Sequence, residues 1–193
     1  MSVSKTRQKL VEVARELFAR QGLEATTMND IALSSGKGRR TLYTYFRSKE
    51  DIYYAVIESE LERLSDCMTE VAKMNIPPEE KVVQLIYTHL KMIKETVARN
   101  GSLRAEFFRN IWMVEKVRRK FDEEEVNILR RVLQEGVDNR SFKIESIGLM
   151  ADIIHYAVKG LEVPYIYDRL GEGLKENVTQ PIVMNLVHRA LGI

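Results

Sequence analysis

The sequence predicts an all-α fold, with a small three-helix N-terminal domain followed by a larger helical domain, about nine helices in all. Three observations predict it. Apolar residues recur at i, i+3 and i+4 through most of the 193 residues. No stretch sustains the period-two alternation of a half-buried strand. Only four prolines punctuate the pattern. At 45% hydrophobic residues, the chain can bury one sizeable core, or a small domain joined to a larger one.

The first helix is expected over about Ser4 to Gln21. Leu10, Val13, Ala14, Leu17 and Phe18 share one face, and Gly22 ends the helix. The second begins at Thr26–Thr27, with Asp30 three residues after Thr27, a capping-box spacing with Asp in place of the usual Glu. Gly36 supplies the turn, where a positive φ suits glycine. The third helix is short, about Gly38 to Phe46, with Leu42 and Phe46 facing inward. Ser48 caps the fourth, with Asp51 at its third position, and that helix runs to about Ala72. This divides the chain into residues 1–49 and a larger domain over 50–193.

Pro77–Pro78 mark a break, and a fifth helix follows to about Ala98. Ser102 to Phe121 reads as helical with uncertain breaks, its apolar mass being Phe107, Phe108, Ile111 and Trp112. Asp122 is expected to cap the next helix, with the Glu123–Glu125 run at its positive end. Asn139 to Lys143 is a turn. Of the last two helices, one spans about Ser146 to Leu170, where Pro164 should kink it or end it near Val163. The other spans about Thr179 to Leu191.

The stretch from Thr26 to Asp51 thus holds two short helices around a glycine turn and the start of a third. That is the layout of a helix-turn-helix, whose second helix is shaped for the major groove of double-stranded DNA. Charge agrees. Ten basic and four acidic residues leave Met1 to Lys49 at +6, against +2 for the whole chain, so the remainder is −4. A basic end suggests a polyanion partner for that end, although a solvated basic face is an alternative. Arg39 and Arg40 open the reading helix, and arginine bidentate to guanine is the commonest specific base contact. Thr44 lies one turn on, on the same face. Tyr43 and Tyr45 carry hydroxyls able to reach phosphate, although either can also pack the domain. Thr27, Lys37, Thr41 and Lys49 stand at helix starts, where anions are favoured.

The order capped Thr-Thr, Met-x-Asp-Ile-Ala, glycine turn, Thr-Leu-Tyr-x-Tyr-Phe, x-Ser-Lys-Glu resembles the DNA-binding domain of the TetR family of bacterial transcriptional regulators. The likeness covers roughly Lys5 to Ala55. It implies that Thr27, Tyr43 and Lys49 hold phosphates, and that the start of the third helix and Thr44 read bases. The chain departs from the family pattern in its reading edge. Lys37 stands for the usual valine, Gly38 for the usual serine cap, Arg40 for the usual glycine and Thr44 for the common histidine. An operator different from that of standard family members is therefore expected.

One helix-turn-helix reads few base pairs, so pairing to reach two half-sites is expected. The last two helices suit a two-fold four-helix interface, with Ile153, Ala157, Gly160, Leu186, Val187 and Ala190 as its candidates. They could instead pack within their own monomer. The resemblance also implies a small apolar or amphipathic effector in the larger domain. Tyr87, His89, Met92, Phe108, Trp112, His155 and Tyr156 are candidates to line its pocket, although each can be ordinary core. His89 sits on an apolar stripe, where a satisfied core histidine is the plainer reading. The function expected is a repressor that binds a palindromic operator as a homodimer and is released by its effector. The alternatives are an activator without ligand response, or a helical protein-interaction module.

An enzyme is not expected. His89, His155 and His188 are scattered, and no metalloprotease, nucleophile-elbow or phosphate-loop pattern occurs. Cys67 is the only cysteine, so no intrachain disulfide forms and no Cys-rich zinc site exists. No catalytic residue, cofactor or metal is assigned. No apolar run approaches a membrane span, and MSVSKTRQKL has no secretory core, so a cytoplasmic protein is expected.

Overall fold

The computed structural model describes residues 5–100, 111–173 and 176–193, with the side chains of 111–116, 172, 173 and 176 left aside. Among them are eight α-helices and one 3-10 turn, and no strand. In order these are α1 (Lys5–Gln21), α2 (Met28–Ser35), α3 (Arg39–Tyr45), α4 (Lys49–Lys73), α5 (Pro78–Arg99), α6 (Ile111–Asp138), α7 (Ile147–Ile166), the 3-10 turn (Leu170–Gly173) and α8 (Glu176–Leu191). The expected all-helical architecture is the observed one. The expected stretch at 102–110 and Phe108 lie outside the described residues.

The chain groups into two compact units, residues 1–62 with 96–119, and residues 63–95 with 120–193. In the first unit, Leu10, Ala14, Leu17 and Phe18 of α1 are buried together with Ile31 and Ala32 of α2, Leu42 of α3, and Ile52, Tyr53, Val56 and Ile57 of α4. The Phe18 and Tyr53 rings meet edge to face at 6.3 Å. Gly22 ends α1 at φ 89°, its N–H donating to the Phe18 carbonyl at 2.9 Å. Thr26 is buried, and its hydroxyl donates to the Gly22 carbonyl at 2.7 Å, fixing the path into α2.

The second unit has its own core, built on Leu64, Met68, Val82, Leu85, Leu129, Leu133, Ala151 and Leu191. Gly136 matters here for space. A Cβ at that position would stand 2.2 Å from the Phe142 ring, so only glycine lets the chain fold back from α6 onto that helix.

Three boundaries differ from expectation. Asp122 does not cap a helix. It lies within the continuous α6, where its carboxylate accepts from Lys159 Nζ at 2.7 Å. No proline or glycine stands between Ile111 and Glu135 to stop the helix, so the acidic run joins its interior. Pro164 does not end α7 near Val163. The helix continues to Ile166, because a proline in the last turn forfeits only the bond to the Gly160 carbonyl. The last helix begins at Glu176 rather than at Thr179, which places Pro181 inside it.

Candidate nucleic-acid interface

The turn between α2 and α3 is set by local chemistry. Thr27 Oγ1 accepts from the Asp30 N–H at 3.2 Å, and Asp30 Oδ2 accepts from the Thr27 N–H at 2.9 Å, a complete capping box. The Thr27 hydroxyl also donates to Asp30 at 2.7 Å. These bonds hold the Asp30 carboxyl below its ordinary range, the side-chain bond from Thr27 contributing most. Gly36 takes φ 65° and closes α2 through its N–H. At the start of α4, Ser48 Oγ accepts from the Asp51 N–H at 3.1 Å, while Asp51 Oδ2 accepts from the Arg47 N–H at 3.0 Å.

These ends leave α3 with one face on the core and one in solvent. Leu42 and Phe46 are buried, and the Arg7 guanidinium lies 5.4 Å from the Phe46 ring centroid. Arg39, Arg40, Tyr43, Thr44 and Tyr45 are exposed, and Lys37, Thr41 and Lys49 are half-buried. The candidate DNA-facing residues therefore sit on and beside the outer face of the short helix. Thr44 Oγ1 donates to the Arg40 carbonyl at 3.0 Å, and Lys49 Nζ donates to the Glu24 carbonyl at 3.2 Å. Gly38 at the N-cap makes no side-chain bond, so the first turn of α3 keeps uncapped backbone N–H groups.

The other candidates lie in the second unit. Tyr87 lines a cavity of about 690 Å³ between α5, α7 and α8, and its hydroxyl is 2.8 Å from that of Thr179. Met92 is in the core and Tyr156 is 69% exposed, so neither lines that cavity; the side chain of Trp112 lies outside the described part. His89 and His155 are buried among carboxylates instead. His89 Nδ1 is 2.9 Å from Glu125 Oε1, and its Nε2 is 3.0 Å from Glu162 Oε1. His155 Nδ1 is 3.6 Å from the same Glu125 oxygen. Burial by itself would lower the His89 pKa. Hydrogen bonds to Glu125 and Glu162, with their charges, outweigh burial and raise it to about 9. Burial likewise opposes the ionised Glu125, and the bonds and charges of His155 and His89 bring its pKa down to about 2. His89 is thus a core histidine held between two carboxylates, its Nε2 hydrogen-bonded to Glu162 and its Nδ1 in ion-pair contact with Glu125. Among the described residues, no group of three or more His, Cys, Asp or Glu is arranged to hold a metal.

Of the pairing candidates, Ile153 is 54% and Leu186 67% exposed, and Ala157, Gly160 and Ala190 are also open. Val187 is 7% exposed and belongs to the core of its own unit. Sequence reasoning missed Lys94 and Asp168, which pair at the cavity. A non-glycine residue just past the end of α7 was the available signal, but it is invisible until the end of that helix is known.

Known proteins resemble the first of these sites. Residues 10–56 match the model of bacterial regulatory proteins of the tetR family. An HTH-type transcriptional regulator of Mycobacterium tuberculosis is 32% identical over 91 residues, which are 47% of this chain and 45% of that protein. The chain thus spans about half the length of the relatives it matches. A transcriptional regulator from Cytophaga hutchinsonii superposes with TM-score 0.71 at 23% identity, covering 98% of this chain and 96% of its own. The regulator FadR of Bacillus subtilis, solved with stearoyl-CoA, superposes with TM-score 0.67 at 19% identity, covering 93% and 96%. At such identities, these two structures speak to the fold. Over residues 10–56, the helix-turn-helix segment, the chain is thus similar to the tetR family of bacterial regulatory proteins.

Proposed function

We propose that the protein is a homodimeric transcriptional repressor that binds a palindromic operator through α3 and leaves it when a small effector occupies the second unit. The observation that carries this reading is the capped helix-turn-helix with Arg39, Arg40 and Thr44 on the exposed face of α3. The arginines read base edges, while Lys37, Thr41, Tyr43 and Tyr45 meet phosphates. Thr27 and Lys49 join them by turning from Asp30 and the Glu24 carbonyl toward the backbone. Pairing uses the open apolar faces of α7 and α8, and the 690 Å³ cavity falls in the range of small-molecule sites. The stearoyl-CoA complex of the Bacillus subtilis regulator supports an amphipathic effector within this architecture. No helix among the described residues is long and apolar enough to cross a membrane, and a cytoplasmic protein accords with that.

The test is a gel-shift titration on the DNA upstream of the gene. Contacts to about 6–10 phosphates weaken binding roughly 10³–10⁵-fold between 50 and 200 mM salt. Binding that ignores salt, or fails on every sequence offered, contradicts the reading.

A further inference from the structure

The cavity between α5, α7 and α8 is apolar along Ile86, Leu90, Ile154 and Leu161, and its exposed lining, Ile153, Ala157, Leu186 and Ala190, is the face proposed above for pairing, so a second copy would close it over. Its polar groups fall in two places, two helical turns apart on α5. At one, the Tyr87 and Thr179 hydroxyls bond each other. At the other, Lys94 Nζ donates to Asp168 Oδ1 and lies 5.5 Å from the Tyr165 ring centroid.

Asp168 is the unusual member. It follows Tyr167, the C-cap of α7, and takes φ 52°. The Asp168 N–H donates to the Tyr165 carbonyl at 3.2 Å, and the Arg169 N–H to the Pro164 carbonyl at 2.8 Å. This is a Schellman closure whose left-handed position usually carries glycine. A carboxylate there also faces the negative end of the helix dipole. Two local preferences are therefore broken at one residue, and what its side chain does is hold Lys94 at the cavity. Lys94 sits within the long α5, beside an aromatic ring, whereas the Asp168 side chain is 70% exposed on a turn. If the pair opens, Asp168 is the partner free to swing into water, away from the helix end that disfavours it.

We infer that the cavity binds a single-chain amphiphile with a carboxylate head, which takes the place of the Asp168 carboxylate on Lys94 while its chain lies along Leu90 and Ile86. The Asp168 carboxylate is the internal stand-in for the ligand's head group, which is why a carboxylate is named rather than an amine or an alcohol. This deepens the effector reading above, and rests on it only for the consequence at the operator.

The test is calorimetric titration of the full chain with dodecanoate, dodecan-1-ol and dodecylammonium, each kept below micelle formation. Dodecanoate should bind tightest. Lys94→Met should weaken it roughly tenfold or more and remove its advantage over the alcohol. Lys94→Arg should preserve binding, and Asp168→Asn, which tolerates a positive φ, should tighten it. Circular dichroism checks that each variant is folded, and the Lys94→Arg and Asp168→Asn results stand independently of Lys94→Met. Equal binding of acid and alcohol, preference for the amine, or no binding heat at all overturns the assignment. A dimer that forms while no amphiphile binds gives the cavity to the partner copy, and also overturns it. Operator release, read by anisotropy in the same samples, reports separately on the effector role. Dodecanoate binding without release keeps the site and removes that role, and release by a different ligand with no dodecanoate binding does the reverse.

Discussion

His89 and Glu125 show how single residues tie three helices of the second unit together. A buried imidazole between two carboxylates, donated by α6 and α7, is stable only while charged. The folded His89 pKa of about 9 lies above its ordinary 6.5, so its stabilisation is complete below pH 6.5 and is lost as pH rises through 9. The folded Glu125 pKa of about 2 lies below its ordinary 4.5, so its stabilisation is present above pH 4.5 and is lost as pH falls toward 2. The two together predict greatest stability between about pH 4.5 and 6.5, read as urea midpoints across pH. In Glu125→Gln the alkaline fall should still begin near pH 6.5 but be smaller and end at lower pH, since His89 then keeps only Glu162. An unchanged profile in that variant removes the pair from the account.

Helix ends decide what each element can present. The box at Thr27 and Asp30 and the left-handed Gly36 fix α2, and through it the direction of α3. Both were legible in the sequence because caps act over three or four residues. Asp122 was not. An acid followed by three glutamates looks like a helix start, and only Lys159, 37 residues away, shows why the run sits inside α6. The same distance hid the His89 cluster, whose members fall on three helices. Gly136 is a further case, because its space requirement comes from Phe142 across the turn. Gly136→Ala gains up to about 1 kcal/mol in helix propensity but forces the ring aside, which typically costs about 1–3 kcal/mol. A net loss of stability is expected in urea denaturation, and a gain would show that the ring moves freely.

At the scale of the molecule, the first four helices were readable with their caps and most of their buried residues, although Val11 rather than Val13 is buried on α1, whereas the second unit was readable only as helices. Its exposed stripes explain the difference. On α7, Leu149, Ile153, Tyr156, Gly160 and Val163 recur at spacings of four and three, and on α8 Val178, Ile182 and Leu186 do the same at four. An apolar stripe predicts burial without saying whether the cover is the same chain or another one, and Val187 turned inward where an outward residue was expected. If a second copy covers these faces, Ile153→Asp with Leu186→Asp should give a monomer by sedimentation that remains folded. A dimer surviving both changes would place pairing elsewhere.

The central claim is that two copies of α3 read two half-sites. Footprinting on the bound upstream DNA tests it most directly. The account predicts two protected major-groove segments with centres about 10 base pairs apart or a multiple of that, lost together when Arg39 and Arg40 are replaced by alanine. A single protected segment, or protection that survives loss of both arginines, would contradict it.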